Sequence, residues 1–231
     1  MRTDNRKNDE LRKIKFTKNY INNAKGSVLV EFGQTRVLVC ANYENVLPKW
    51  LEKNSTKGWL TAEYSLLPSS TSIRNQRERT KISGRTQEIQ RLIGRSLRAC
   101  VDLEKIQGKT FIIDADVLQA DGGTRTASIC GAFVALKIMI EKLIEEGELK
   151  ETPIIEPIGA ISAGIVNGEV MVDLCYEEDS NAQVDSNIVL TKSGKIIEFQ
   201  TTAEGEPFKK EQMDKIFEVA KKSIEKIIEM Y

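Results

Sequence analysis

Three stretches of the chain repeat apolar residues at the spacing of an amphipathic helix. They span residues 86–103, 124–146 and 209–231, and in each the apolar positions step by three and four. Gly147 follows the second stretch, where a glycine commonly ends a helix. The third stretch combines its apolar stripe with many Glu and Lys residues, a pattern typical of a helix packed on a core. The pattern therefore predicts three helices over these ranges.

Other apolar stretches are interrupted by turn residues and indicate β-hairpins. Residues 26–43 place two apolar runs around FGQT, residues 159–176 place two around VNGE, and residues 187–199 place two around KSGK. The Asn-Gly pair of the second is a strong hairpin signal. A further strand is predicted over residues 110–118 from their β-branched and aromatic content.

The arrangement of these elements suggests how the chain is organised. The first two hairpins look alike, which is a hint of internal duplication. Residues 42–86 look irregular, and their polar stretches 54–57 and 67–83 are expected to be exposed loops, the second of them mobile. Strands and helices are interleaved, and we therefore predict a single α/β (α+β) domain over residues 1–231.

The composition fits an ordinary globular protein. Of the 231 residues, 40% are hydrophobic and 29% are charged. No apolar run reaches the roughly 18 residues of a transmembrane helix, and the polar start MRTDNRKNDELRK lacks the apolar segment of a secretory signal. We therefore expect a cytoplasmic protein without a membrane partner. The four cysteines form no CxxC pair and are expected to be buried free thiols.

The chain contains no histidine. This excludes catalysis by serine-histidine or cysteine-histidine pairs, histidine metal sites and an imidazole general base. An enzyme built from this chain must use carboxylates, arginine, lysine or hydroxyl groups, or a reactant that supplies its own nucleophile.

The charges are unevenly distributed although the net charge is zero. From Arg74 to Arg98 there are eight basic residues against two acidic ones, and Arg91 and Arg95 lie on one face of the first predicted helix. Residues 141–206 are strongly acidic. This asymmetry suggests a polyanionic partner, and a solvated helix face is the alternative.

Two short motifs have the geometry of an anion site. In LQADGGTRTASI (118–129) two glycines separate a predicted strand from a helix start, where unpaired N–H groups and the helix dipole favour phosphate. Thr124, Thr126 and Arg125 can add donors. In SGRT (83–86) Arg85 opens the basic helix, a position that a nearby anion would favour. An ordinary glycine turn and a hydrated surface arginine remain the alternatives.

An acidic cluster provides the third candidate site. Glu177, Glu178 and Asp179 are followed by Asp185, and both groups border a predicted strand. Several carboxylates close together suit Mg²⁺, which is often held by one or two carboxylates and a substrate phosphate. A solvated acidic loop is the alternative.

Five runs of the sequence resemble RNase PH, the family of phosphate-dependent tRNA nucleotidyltransferases. They are GWLTAEYSLLP (58–68), SGRTQEIQRLIGRSLRACVDL (83–103), DADVLQADGGTRTASICGA (114–132), VDLCYEEDSNAQVDSNIV (172–189) and TAEGEPF (202–208). The similarity follows the same order along nearly the whole chain, and the QADGGTRTAS and GRTQEIQRLIGR runs are its most specific parts.

The resemblance implies a fold, a reaction and an assembly. The fold is a duplicated βαβα arrangement of the ribosomal protein S5 domain 2-like type, shared with the exosome core and polynucleotide phosphorylase. The reaction is phosphorolysis, in which inorganic phosphate attacks the terminal phosphodiester of tRNA precursors and other RNA 3′ ends and releases nucleoside diphosphates. The assembly is a homo-hexamer built as a trimer of dimers, and the cofactor is Mg²⁺ or Mn²⁺.

The resemblance also assigns roles to residues that match the family motifs. Phosphate binding is expected of Arg85, Gly123, Thr124 and Arg125. Metal binding and catalysis are expected of Asp179 and Asp185, with Arg85 as a further catalytic residue. RNA binding is expected of Arg74, Arg77, Arg91 and Arg95.

The sequence departs from the family pattern in the loop that holds RNA. Ser69 and Ser72 replace residues that are commonly arginine and histidine or another polar residue, and the stretch before Gly84 looks shortened. These changes leave the phosphate and metal residues intact, so they concern the preferred RNA.

Two other functions compete with this one. An inactive subunit of an exosome-like ring could bind RNA or act as a scaffold, but it would not need the phosphate and metal residues together. A small-molecule phosphotransferase would fit a glycine-rich loop, but the chain lacks a P-loop lysine.

Overall fold

The first half of the chain folds into a five-stranded sheet. The computed structural model of the protein describes residues 2, 4–51 and 55–231. The strands of this sheet are β1 (Ile14–Lys18), β2 (Gly26–Phe32), β3 (Thr35–Glu44), β4 (Trp59–Leu66) and β5 (Thr110–Gln119). Their order is β1-β2-β3-β5-β4, and only β4 and β5 pair in parallel. A parallel pair needs a crossover, which helix α1 (Gly84–Ala99) supplies, and helix α2 (Thr124–Glu145) follows β5.

The second half folds into a four-stranded antiparallel sheet. Its strands are β6 (Ile158–Val166), β7 (Glu169–Val172), β8 (Val184–Thr191) and β9 (Ile196–Ala203), in the order β7-β6-β8-β9. The short helix α3 (Tyr176–Ser180) precedes β8, and the amphipathic helix α4 (Lys210–Ile228) packs on β6.

Helix α2 joins the two halves because it is buried on most of its surface. It packs on β2 and β3 of the first sheet and on β6 of the second. A Cβ on Gly131 would overlap Val30 and Val39, so this glycine lets the helix approach the first sheet closely. On the other side, Cys130 Sγ lies 3.3 Å from the backbone nitrogen of Ala160 in β6. The start of α2 therefore lies where both halves meet.

The mixed fold with two sheets and interleaved helices confirms the predicted fold class. The three hairpins have the predicted turns, and α2 and α4 have nearly the predicted ranges. The first helix ends at Ala99 rather than at residue 103, because Val101 leaves the helix to pair with Ile154 in an isolated bridge.

The prediction of irregular structure over residues 42–86 is wrong in part. Strand β4 lies inside this range, and it buries Leu60, Ala62 and Tyr64 on one face while the residues between them are polar. Strand β1 and helix α3 were also not predicted, because each has only five residues. Strand β4 matters for function because its Tyr64 lines the candidate site.

The predictions made from composition have separate outcomes. All four cysteines are free thiols, but only Cys100 and Cys130 are buried, whereas Cys40 and Cys175 are half-buried. None of the helices in the described ranges is long and apolar enough to cross a membrane.

Candidate active site

A cavity of about 660 Å³ lies where the two halves of the protein meet. Its walls come from β4, the first turn of α1, the turn between β5 and α2, helix α3 and strand β8. The residues that were predicted to bind phosphate or metal all line it. They are Arg85, Gly123, Thr124, Arg125, Asp179 and Asp185.

The turn before α2 is built from two glycines in the left-handed region. Gly122 has a φ of +72° and Gly123 a φ of +65°, values that residues with a Cβ rarely adopt. A Cβ on Gly122 would also overlap the carbonyl oxygen of Leu174. Gly123 caps α2 without a side-chain hydrogen bond, so the first N–H groups of the helix have no capping partner among the described residues and lie at the cavity wall. These groups and the helix dipole favour an anion.

The hydroxyl of Thr124 is oriented by Tyr64. Tyr64 Oη donates to Thr124 Oγ1 at 3.0 Å, which leaves the threonine hydrogen free to point to a ligand. Burial raises the pKa of Tyr64, so this phenol stays protonated and continues to donate. The turn thus offers backbone donors and one oriented hydroxyl.

Two guanidinium groups add positive charge to the same cavity. Arg125 follows Thr124 on α2, and Arg85 lies in the first turn of α1, which contains no acidic residue. The position of Arg85 is fixed by the N-cap Ser83, whose Oγ accepts from the backbone nitrogen of Thr86 at 3.2 Å. We call Gly123, Thr124, Arg125 and Arg85 the anion cradle.

Asp179 and Asp185 form a close pair beside the cradle. Burial raises the pKa of Asp179, and the nearby Arg125 and Arg85 guanidinium groups oppose this rise. Burial and the Asp179 carboxylate raise the pKa of Asp185 to about 6. The two carboxyl groups lie within hydrogen-bonding reach of each other, so they share a proton under mildly acidic conditions.

This pair fits a divalent cation. Asp185 Oδ1 is buried and has no hydrogen-bond partner in the part of the chain that the structure describes. The described residues contain no group of three or more His, Cys, Asp or Glu side chains that could enclose a metal. A cation at the pair would therefore have two protein carboxylates and take its other oxygen ligands from substrate and water, as Mg²⁺ commonly does.

Two regions of the sequence match models of the 3′ exoribonuclease family. The model of domain 1 matches residues 10–140, and the model of domain 2 matches residues 156–223. The chain belongs to the RNase PH family. The anion cradle lies within the first region and the aspartate pair within the second, so the RNase PH match covers the whole candidate site.

Solved structures similar to this RNase PH family member include exosome chains. One belongs to an Archaeoglobus fulgidus exosome with RNA bound to the active site. It has 25% identity and a TM-score of 0.83, and the match covers 99% of this chain and 91% of that chain. A chain of an archaeal exosome core has 24% identity and a TM-score of 0.79, with 99% and 90% covered. Rice (Oryza sativa) Rrp46 has 20% identity and a TM-score of 0.79, with 98% and 96% covered. The last two matches have less than 25% identity and therefore support only the assignment of the fold.

Arg74 and Arg77, which were predicted to bind RNA, lie outside the cavity. Both are exposed on the loop between β4 and α1. The same loop contributes Thr71 and Asn75 to the cavity wall, and the Asn75 amide donates to Thr71 Oγ1 at 2.7 Å. The loop therefore leads from the site of this RNase PH family member to the surface that carries the two arginines.

Arg91 and Arg95 lie on another surface. They line a separate groove of about 330 Å³ between α1 and β9. Arg95 Nη1 lies 3.3 Å from Glu198 Oε2, so part of its charge is already neutralised. Their role in RNA binding remains a prediction, and the structure does not bring them to the cavity.

Several cavity residues were missed by the sequence analysis. They are Tyr64, Ser162, Tyr176, Asn187 and Glu204. Tyr176 stands directly before the acidic run, lines the cavity and is 62% exposed. Tyr64, Tyr176, Asn187 and Glu204 lie within runs that resemble the family, but no role was assigned to them there. Ser162 lies outside these runs, so the sequence carried no signal for it.

Proposed function

We propose that this protein is a phosphorolytic 3′-to-5′ exoribonuclease that trims the 3′ ends of tRNA precursors. The observation that carries the proposal is the presence of the anion cradle and the aspartate pair in one cavity. Such a site can bring together two anions, inorganic phosphate and the last phosphodiester of an RNA, and neutralise both.

The cradle suits phosphate as the nucleophile. It combines unpaired N–H groups at the start of α2, the Thr124 hydroxyl and two guanidinium groups. Arg125 and Arg85 can each bind two phosphate oxygens. Phosphate is already ionised at neutral pH, so no general base is needed, in agreement with a chain that has no histidine.

The proposed reaction exchanges one phosphorus–oxygen bond for another. An oxygen of inorganic phosphate attacks the phosphorus of the terminal linkage, and the bond from this phosphorus to the 3′ oxygen of the preceding nucleotide breaks. The terminal nucleotide leaves as a nucleoside diphosphate, and the 3′ oxygen of the shortened RNA gains the proton that the attacking hydrogen phosphate gives up. Arg85 and Arg125 hold the attacking phosphate in line and neutralise charge that develops during the transfer.

We assign Asp179 and Asp185 as the ligands of Mg²⁺ or Mn²⁺. The supporting observation is the unpartnered, buried Oδ1 of Asp185 beside a second carboxylate. When bound there, the cation would neutralise negative charge on the leaving 3′ oxygen. Without it, the two carboxylates repel each other and the incoming RNA.

An RNA 3′ end also suits the mouth of the cavity. The exposed Tyr176 ring can stack on a nucleobase without reading its identity, as aromatic residues do in proteins that bind single strands. Arg74 and Arg77 on the adjoining loop can contact the RNA backbone farther from the end. A structured tRNA would lie over this loop while its unpaired 3′ end enters the cavity.

The proposal includes a ring of six copies of this chain, a trimer of dimers located in the cytoplasm. Its support is family membership and the similarity to chains of exosome cores. Sedimentation or light scattering of the purified protein tests it, and a mass of six chains is the expected result.

One assay tests the reaction. The purified protein is incubated with Mg²⁺ and a tRNA that carries extra 3′ nucleotides, with and without inorganic phosphate. Nucleoside diphosphates that form only with phosphate are the expected products. Nucleoside monophosphates would indicate hydrolysis and refute the proposal, and RNA binding without products would favour a scaffold subunit.

A pair of matched variants localises the activity. Arg85→Gln removes one guanidinium group of the cradle and should reduce phosphorolysis strongly. Arg36→Gln removes an exposed guanidinium on β3 whose Nε lies 3.4 Å from Glu31 Oε1, away from the cavity, and should leave activity unchanged. An equal loss of phosphorolysis in both variants would contradict the assignment of Arg85 to phosphate binding.

A further inference from the structure

Two buried arginines of the N-terminal segment lie behind the candidate site. Arg2 is 4% exposed and Arg12 is 7% exposed. Arginine is rarely buried unless it is paired. Arg12 pairs with Asp173, which precedes α3, and Arg2 pairs with Glu178, which lies within α3.

Arg12 is held rigidly by Asp173. Its backbone nitrogen donates to Asp173 Oδ2 at 2.7 Å, and its Nη2 donates to Asp173 Oδ1 at 2.7 Å. Asp173 is completely buried and has a φ of +55°, a conformation that few non-glycine residues adopt. One Asp173 oxygen thus holds the Arg12 guanidinium group and the other holds the Arg12 backbone, and this second oxygen also lies 3.6 Å from Arg6 Nη1.

This guanidinium group contacts the underside of the glycine turn. Arg12 Nη1 donates to the carbonyl oxygen of Asp121, and Nη2 approaches that of Gly122 at 3.5 Å. Thr35 Oγ1 donates to the same Gly122 oxygen at 2.6 Å and accepts from the Asp121 nitrogen at 2.9 Å. Both carbonyls of the turn therefore point away from the cavity.

The direction of these carbonyls sets the direction of the donors. In a trans peptide the N–H points opposite to the C=O of the same unit. Because the Asp121 and Gly122 oxygens are held below the turn, the N–H groups of Gly122 and Gly123 point to its other side. A flip of either peptide would present a carbonyl oxygen to the phosphate and repel it.

We propose that Arg12 is a positioning residue that holds the glycine turn in the orientation that binds phosphate. This inference rests on the proposed function, because the ligand of the cradle is taken to be inorganic phosphate. Arg12 acts through the turn and not on the ligand, since its side chain is only 4% exposed and its charge is neutralised by Asp173.

Arg2 provides a matched comparison within the same segment. Its Nε and Nη2 donate to the two carboxylate oxygens of Glu178, each at 2.7 Å, so it is also a buried arginine in a two-point ion pair. Glu178 precedes Asp179 on α3, and Arg2 also donates to the carbonyl oxygens of Val172 and Asp173. Within the described residues no hydrogen bond joins Arg2 to the glycine turn, in contrast to Arg12. General destabilisation would affect both arginine variants, whereas loss of the turn orientation is specific to Arg12.

The test measures binding of inorganic phosphate to the purified full-length chain by titration calorimetry, without RNA or metal. Arg12→Gln should weaken phosphate binding by on the order of tenfold, comparable to the lower end of what loss of a partner behind a metal ligand costs. Arg2→Gln should change it less than about twofold. Arg12→Lys keeps the charge next to Asp173 but loses the two-pronged contact, so it should fall between Arg12→Gln and wild type.

A second variant covers the case in which Arg12→Gln does not fold. Thr35→Val keeps the side-chain shape but removes the hydroxyl that holds the Gly122 oxygen, so it should also weaken phosphate binding several-fold. In turnover assays both variants should raise the KM for phosphate more than they lower kcat. Phosphate binding in both at the wild-type level would overturn the role of the turn, whereas absence of binding in wild type would refute the proposed function itself.

Discussion

The aspartate pair has a stability cost that grows with pH. Burial, and next the neighbouring Asp179 carboxylate, raise the pKa of Asp185 from its ordinary value of 3.8 to about 6 in the folded protein. Between about pH 4 and about pH 6, Asp185 therefore holds its proton in the folded state but loses it in the unfolded state. Stability linked to this proton is complete below about pH 4 and is lost as the pH rises through about 6.

The pKa rise sets the size of the effect. Each pKa unit corresponds to about 1.4 kcal/mol, so a rise from 3.8 to about 6 corresponds to about 3 kcal/mol. The pair borders an open cavity, and solvent screening reduces this figure to about 1–2 kcal/mol. Asp185→Asn keeps the shape and removes the titration, so at about pH 8 it should be more stable than wild type by this amount.

Urea unfolding in the presence of EDTA, at one fixed protein concentration, measures this difference. The variant should gain about 1–2 kcal/mol relative to wild type between about pH 4.5 and about pH 8. Asp214→Asn is the control, because Asp214 is an exposed carboxylate 2.8 Å from Lys210, and it should change stability by less than about 0.5 kcal/mol. An Asp185→Asn difference that is independent of pH would refute the raised pKa.

Three further predictions concern ligands of the site. At about pH 8, Mg²⁺ should raise the melting temperature of wild type but not of Asp185→Asn; an equal rise in both would contradict the metal assignment. Arg77→Ala should weaken tRNA binding several-fold with little change in the KM for phosphate, whereas Arg85→Ala should raise that KM by about tenfold or more. Tyr176→Ala should weaken binding of single-stranded RNA by about 1–3 kcal/mol while Tyr176→Phe binds normally, as gel-shift titrations can measure.

Much of the fold could be predicted because its elements have long, regular patterns. The hairpins carry turn signals such as Asn167-Gly168, and α2 and α4 have apolar stripes over several turns. Strand β4 has an alternating pattern as well, but the small Ala62 weakens it and its pairing with β5 is non-local. Short elements such as α3 depend on tertiary contacts, so local patterns do not reveal them.

The site could be predicted where its residues belong to short motifs, as Arg85, Asp179 and Asp185 do. The cradle motif at Gly123–Arg125 is contiguous and lies at a helix start, so its chemistry is visible in the sequence. The contacts that hold this motif in place are not visible in the sequence. Arg12 and Asp173 are separated by 161 positions, and Tyr64 and Thr124 by 60. Contacts of this kind arise only when the two halves pack together.

The most direct test of the central claim follows the phosphorus of the nucleophile. The protein is incubated with Mg²⁺, an unlabelled RNA with extra 3′ nucleotides, and radiolabelled inorganic phosphate, and the released nucleotides are separated by chromatography. Attack by phosphate held in the cradle predicts nucleoside diphosphates with the label in the β-phosphoryl group. Release of unlabelled nucleoside monophosphates would contradict it, because water would then be the nucleophile.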